Sequence, residues 1–130
     1  MAKVIADNIF DAALALVDNC TSCEVRTSGS SVLVSLVANS VTLDASNFGA
    51  AGDNSGSGGG RKMQCLVSSG SDMKAISVST GGAAKKVAIG VSSASSIVDY
   101  VVAELSSAVS LGSSDQINLG TFSVILKDPT

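Results

Sequence analysis

The chain has 130 residues, the usual size of a single domain, and we expect residues 1–130 to share one modest hydrophobic core. Its composition is unusual for an enzyme, since 45% of the residues are hydrophobic but only 15% are charged and 3% are aromatic, with no His or Trp. A net charge of −3 with only two basic pairs argues against a nucleic acid partner. No segment has the roughly 18 uninterrupted apolar residues of a membrane span, so a membrane partner is not expected either.

The N-terminal segment is predicted to be helical. From residue 4 to about residue 19, apolar residues recur at spacings of three and four, which is typical of an amphipathic helix. We expect this helix to pack on a sheet through one apolar face, made of Ile9, Phe10, Ala13, Leu14 and Val17.

The next segments favour short strands. Residues 23–27 alternate as a strand does, placing Cys23 and Val25 on one face and Glu24 and Arg26 on the other. Residues 32–37 fit a buried strand or a short helical turn, and strand is weakly favoured. A short strand is also expected at residues 40–43.

Residues 63–127 are predicted to form antiparallel strands. Alternation of apolar and polar residues marks segments 63–68, 74–80 and 85–91, and Gly81-Gly82 is typical of a hairpin turn. Residues 97–105 also fit a helix, but their β-branched and aromatic content favours a strand. Residues 117–126 predict one long strand, bent at Gly120. The predicted fold is therefore mainly β with one N-terminal helix (α+β), an antiparallel β-sandwich or partly open barrel with the helix packed on it.

Residues 47–62, NFGAAGDNSGSGGGRK, form a Gly- and Ser-rich segment that we call the arm. Ordering such a segment costs much backbone entropy and buries little apolar surface. A phosphate-binding loop of the Walker A type would end in Gly-Lys-Ser or Gly-Lys-Thr, whereas this one continues Gly60-Arg61-Lys62-Met63. We therefore interpret the arm as a site of contact with other protein chains, and expect residues 51–60 to make more contacts outside their own subunit than within it. The predicted interface residues are Phe48, Asp53, Asn54, Gly58, Gly59, Gly60, Arg61 and Lys62.

Three residues of the arm leave alternatives open. Phe48 is interpreted as a core residue beneath the arm or as an interface anchor, with the core favoured because that is the commoner place for Phe. Arg61 and Lys62 either bind an acidic partner surface or are solvated charges at the start of a strand.

No reactive constellation is visible, so we predict no enzymatic activity, no catalytic residues, no metal site and no cofactor. Histidine, the commonest general base, is absent, and no G-x-S-x-G nucleophile motif occurs. Cys20 and Cys23 form a C-x-x-C pair, but with Cys65 they supply only three of the four ligands that structural zinc needs. We expect three small, partly buried thiols.

Four segments together resemble small virion structural proteins of tailed bacteriophages: DAALALV at residues 11–17, the arm, VAIGV at residues 87–91 and VILKDPT at residues 124–130. The resemblance runs over most of the chain in the same order. It implies a head decoration or cement-like protein, bound to the major capsid protein or another virion protein.

The expected setting follows from that resemblance and from the low charge. We expect a homo-oligomer located in the virion and made in the host bacterial cytoplasm, because Asp7 and Asp11 interrupt any apolar stretch that could act as a signal peptide. The alternatives are a tail, neck or fibre-associated virion protein, and a small cellular ligand-binding β-barrel.

Overall fold

The computed structural model describes residues 6–54, 59–67, 74–93 and 96–127, with Ser93 and Ser96 described through their backbone only. These residues form one α-helix, two 3-10 helices and nine β-strands. The elements are α1 (Asp7–Val17), β1 (Ser22–Arg26), β2 (Val32–Ser35), the 3-10 helices Val37–Asn39 and Ala45–Asn47, β3 (Gly52–Asp53), β4 (Arg61–Cys65), β5 (Ile76–Ser77), β6 (Gly82–Ser93), β7 (Ser96–Leu111), β8 (Gln116–Ile117) and β9 (Phe122–Leu126).

Helix α1 is confirmed, although it ends two residues earlier than predicted. Its buried stripe is Phe10, Leu14 and Val17, at spacings of four and three. The prediction that Ile9 and Ala13 are buried is wrong, and Ile9 is 60% exposed. The reason is that α1 rests mainly on one strand, β4, which covers a single row of its side chains.

The largest sheet has four antiparallel strands in the order β2-β1-β6-β7. The predicted alternation in β1 is confirmed, because Cys23 lies opposite Ile89 while Glu24 lies opposite Ala88 on the other face. Both faces of β1 are buried, however, and the Glu24 side chain is among the buried ones. We call the face that carries Cys23 and Val25 the inner face.

Strands β6 and β7 are longer than predicted, at 12 and 16 residues. The strand interpretation of residues 97–105 is confirmed. The pairing of β6 with β7 has two irregularities. Ala84 pairs with Val109 and Lys86 with Glu104, so residues 105–108 lie outside the regular ladder; likewise Tyr100 has no opposite residue on β6.

Two smaller sheets, β3-β4-β9 and β5-β8, complete the architecture. The prediction of one long strand at residues 117–126 is wrong. β8 pairs with β5 and β9 pairs with β4, so the chain leaves one sheet and enters another over residues 118–121. The predicted bend at Gly120 lies within this crossing.

Other local predictions also need correction. Gly81-Gly82 does not join a hairpin, because Gly82 begins β6, which pairs with β1 and β7, while β5 pairs with β8. Residues 40–43 form no strand; the Leu43 amide instead donates a hydrogen bond of 2.8 Å to the Thr21 carbonyl. Of residues 32–37 only Val32–Ser35 is strand, and a 3-10 helix follows.

Strands at residues 63–68 and 74–80 are present but shorter than predicted. The first spans Arg61–Cys65 and ends where Leu66 adopts a φ of +57°, and its predicted last residue lies outside the described residues. The second is reduced to Ile76–Ser77, although Ile76 and Val78 are both buried as their shared face predicted.

The predicted fold class is confirmed. Within the described residues the protein is mainly β with one N-terminal helix, its sheets are antiparallel, and they do not close into a barrel. The core draws on α1, on strands of every sheet and on the segment between β2 and β3. Its most completely buried large side chains are Leu14, Leu33, Leu36, Leu43, Met63, Leu66 and Ile89.

Candidate interaction site

The two ends of the arm are held together within the subunit. β3 pairs with β4, so that Gly52 lies opposite Lys62 and Asp53 opposite Arg61. Beyond this pair, the Asn54 amide donates to the Gly60 carbonyl at 3.1 Å and the Asn54 side-chain Nδ2 donates to the Gly59 carbonyl at 2.7 Å. We call Gly52–Asn54 and Gly59–Lys62 the arm base. Gly58, a predicted interface residue, lies outside the described residues.

Gly60 is required by the geometry of the arm base. Its φ is +85°, in the left-handed region that favours glycine. A Cβ atom there would lie 1.9 Å from the Leu126 carbonyl oxygen at the end of β9. The arm base therefore fits closely against β9, and the glycine that we predicted for contact with another chain makes a close contact within this one.

Arg61 attaches the arm base to helix α1. Its Nε donates to Asp11 Oδ1 at 2.8 Å and its Nη2 to Asp11 Oδ2 at 3.2 Å, while Asp7 lies 4.0 Å away. The hydrogen bond to Asp11 raises the pKa of Arg61. Neither sequence interpretation of Arg61 included these internal partners. The Lys62 and Asp53 side chains are exposed, so they are the arm-base charges best placed to meet a partner.

Phe48 lies in the hydrophobic core. It is 7% exposed and forms an isolated bridge with Cys65, as the interpretation of Phe48 as a core residue expected. The turn before it is fixed by a capping box, in which the Ser46 amide donates to Asp44 Oδ1 and the Asp44 amide donates to Asn47 Oδ1. The hydrogen bonds from Ser46 also lower the pKa of Asp44.

The three cysteines are free thiols, all of them buried. Burial raises the pKa of Cys20 and Cys65 to about 11 and that of Cys23 to about 12. Since the thiolate is the nucleophile and the metal ligand, we expect these thiols to react slowly near neutral pH. Within the described residues, no group of three or more His, Cys, Asp or Glu side chains could hold a metal ion.

Among the described elements, β7 carries the most exposed large apolar side chains, and the sequence prediction did not single it out. Four of its side chains are about half exposed: Val98 55%, Tyr100 46%, Val102 47% and Val109 51%. β7 is the last strand of its sheet. The sequence signal for this surface is the apolar content of residues 97–102, interrupted only by Asp99, but strand order is needed to recognise it as an edge.

Arg26 ties the edge strand to the middle of the sheet. From β1 its guanidinium reaches across β6 to β7, where Nη1 and Nη2 each donate to an Asp99 carboxylate oxygen at 2.8 Å. It also donates to Glu24 Oε1. These hydrogen bonds raise the pKa of Arg26 and lower that of Asp99.

A cleft of about 560 Å³ separates the inner face of the four-stranded sheet from residues 117–123. Val25, Val87 and Ala103 line it on the sheet side, and Leu119 and Phe122 face them. Its few polar neighbours include Glu104 and Asn118, and the Asn118 Oδ1 already accepts a hydrogen bond from the Ala75 amide. The cleft is thus mainly aliphatic.

No family model, curated protein or solved structure matches the chain. The described part of the chain contains no helix with the length and apolar character of a membrane span.

Proposed function

We propose that this protein is a non-enzymatic structural protein of a bacteriophage virion, which decorates or cements the capsid through repeated protein–protein contacts. The virion setting comes from the sequence resemblance, and the observation that supports binding to other proteins is the half-exposed apolar surface of β7, at the edge of the largest sheet. Exposed apolar side chains on an unpaired edge strand are typical of sites where another chain adds to a sheet. The low proportion of charged residues supports the same conclusion, because interface cores are depleted of charge.

The arm base supports a second contact. Its backbone is fixed by β4, β9 and α1, while the Asp53 and Lys62 side chains point to solvent. A fixed base reduces the entropy lost when the arm meets a partner. On a capsid lattice, many weak contacts of this type add up to tight attachment.

Antibody labelling of purified phage particles tests the proposal directly. We expect the label on the head. A label at the tail, neck or fibre would refute capsid decoration and support the alternative role in that part of the virion. Particles without the protein would refute both roles.

A charge reversal then tests the arm itself. Lys62→Glu leaves the internal contacts of Arg61 intact and is expected to lower occupancy on particles several-fold. Lys74→Glu is the matched control, an exposed lysine next to β5 in a different sheet, and should bind like the wild type. Equal occupancy of both variants and the wild type would show that Lys62 is not part of the interface.

A second candidate function is the binding of a small apolar ligand, and the cleft specifically favours it. Its volume falls within the range of about 300 to 1,000 Å³ for ligand pockets, although the sheets are open and not the barrel that we had considered. A fluorescent fatty acid should bind, and Ala103→Phe should block it by filling the cleft. Ala13→Phe, on the exposed face of α1, is the control. No binding by the wild-type protein would exclude this function.

A further inference from the structure

The outer edge of β7 has two register irregularities but lacks the other features that usually protect an edge strand. Natural edge strands are commonly short or carry Lys or Pro, which discourages pairing with another chain. β7 has 16 residues, with no Lys, Arg or Pro among them. Within the described residues, no strand pairs with its outer edge. Its two register irregularities still leave residues 96–99 and 101–104 in regular pairing with β6.

Apolar side chains leave β7 on both faces of the sheet. Val102 lies opposite Ala88 and Val98 opposite Val91, and because Ala88 and Val91 are three residues apart, these valines point to opposite faces. Tyr100 lies between them at the irregularity. Cross-strand side-chain pairs stabilise a sheet on whichever face they lie. Both faces of β7 therefore offer apolar side chains to a strand added at its outer edge.

The Asp99 carboxylate of β7 has a partner within the subunit. It accepts two hydrogen bonds from the Arg26 guanidinium, while Glu104 lies opposite Lys86 in the register of β6 and β7. A strand added at the outer edge therefore needs no basic residue to balance Asp99. A second apolar strand of the same sequence is chemically suitable.

We propose that β7 pairs antiparallel with β7 of a second copy, about a twofold axis near Val101, so that two four-stranded sheets join into one. With the axis at this residue, Asp99 lies opposite Ala103 of the second copy and Glu104 lies opposite Val98. Like charges are then kept apart, as a stable cross-strand arrangement requires. This inference deepens the proposed function and rests on it for the role of the dimer, which would be the unit that attaches to the capsid.

The chain contains a built-in reporter for this pairing. Tyr100 is its only tyrosine and there is no tryptophan, so the intrinsic fluorescence comes mainly from the edge of β7. Sedimentation velocity over the micromolar to millimolar range should show a dimer. Over the same range, iodide quenching of Tyr100 should weaken as the dimer forms.

Two matched substitutions test the location of the contact. Val102→Lys places a protecting lysine on β7 and should give a monomer whose Tyr100 is freely quenched. Val32→Lys is the control, since Val32 is similarly exposed on β2, at the opposite edge of the same sheet, and this variant should stay dimeric. Circular dichroism should show both variants folded.

The proposal is overturned if the wild-type protein is monomeric throughout, if Val102→Lys remains dimeric, or if Val32→Lys dissociates the protein equally. These results are independent of the particle-labelling experiment. A dimer that is absent from virions would refute the proposed function alone, while a labelled monomer would refute only the β7 pairing.

Discussion

Substituting Gly60 by alanine tests whether the arm base is fixed by its own subunit. Two costs follow from the structure. A left-handed backbone costs a residue other than glycine roughly 1 to 2 kcal/mol. The new Cβ would also lie 1.9 Å from the Leu126 carbonyl oxygen, and overpacking of this kind costs roughly 1 to 3 kcal/mol because the backbones must separate.

We therefore expect Gly60→Ala to lower the free energy of unfolding by about 3 kcal/mol, out of the 5 to 15 kcal/mol typical of a domain. Urea unfolding followed by circular dichroism measures this loss, and the melting temperature should fall by about 10 °C. Gly52→Ala is the control in the adjacent strand, because no atom lies within 4 Å of its Cβ position and its φ is not positive. Wild-type stability in Gly60→Ala, or equal losses in both variants, would refute the reasoning.

Three further predictions follow. Gly90→Ala should destabilise the protein and disturb the Tyr100 environment, because its Cβ would lie 1.9 Å from the Val98 carbonyl oxygen, whereas Gly120→Ala should have little effect, since no atom lies within 4 Å of its Cβ position. Asp99→Asn should reduce the loss of stability on acidification, measured by urea unfolding at several pH values. Arg26 lowers the pKa of Asp99, so Asp99 stabilises the folded protein above the ordinary carboxyl pKa of about 3.9, and this stabilisation is lost as the pH falls through the lower folded-state pKa. The stabilisation stays under about 1 kcal/mol because the side chain is 37% exposed. Identical acid sensitivity of the two proteins would contradict this. The cysteines should resist iodoacetamide at pH 8 until the protein unfolds, and rapid alkylation of the native protein, detected by mass spectrometry, would show that the thiols are accessible. The stability of the fold should decline as the pH rises from about 9 toward 11, because burial raises the thiol pKa values to about 11 or 12.

Local chemistry made part of the fold predictable. The spacing of Phe10, Leu14 and Val17 identified α1, and the β-branched content of residues 97–105 correctly outweighed their helical spacing. Both signals lie within a few residues of one another along the chain. They report which element forms, and they say nothing about its neighbours.

Errors arose where a distant partner decides the structure. Gly81-Gly82 has the local chemistry of a hairpin, yet β5 pairs with β8 and not with β6. Residues 117–126 alternate as one strand, but β5 and β4 lie in different sheets and each takes one half of the segment.

In the candidate interaction site, too, the features that depend on distant partners could not be predicted. The sequence identified the arm as Gly-rich and assigned its glycines to contact with another chain, but it did not show that Gly60 adopts a φ of +85° against Leu126 of its own chain. The pairing of Arg61 with Asp11, which lie 50 positions apart, was not foreseen. The edge position of β7 depends on strand order and could not be read from its own residues.

The pairing of β4 with β9 also determines how late in synthesis the sheet of β3, β4 and β9 can form. Arg61 pairs with Leu126 and Cys65 with Phe122, so β4 obtains its second neighbour only after residue 126 has left the ribosome. Helix α1 packs on β4, so the surface beneath the helix is also incomplete until β9 has been synthesised. Pairings this distant in sequence give a high contact order and slow folding. The apolar residues of the helix and of β4 therefore lack their full cover until most of the chain has been made, and chaperones have that interval in which to bind them.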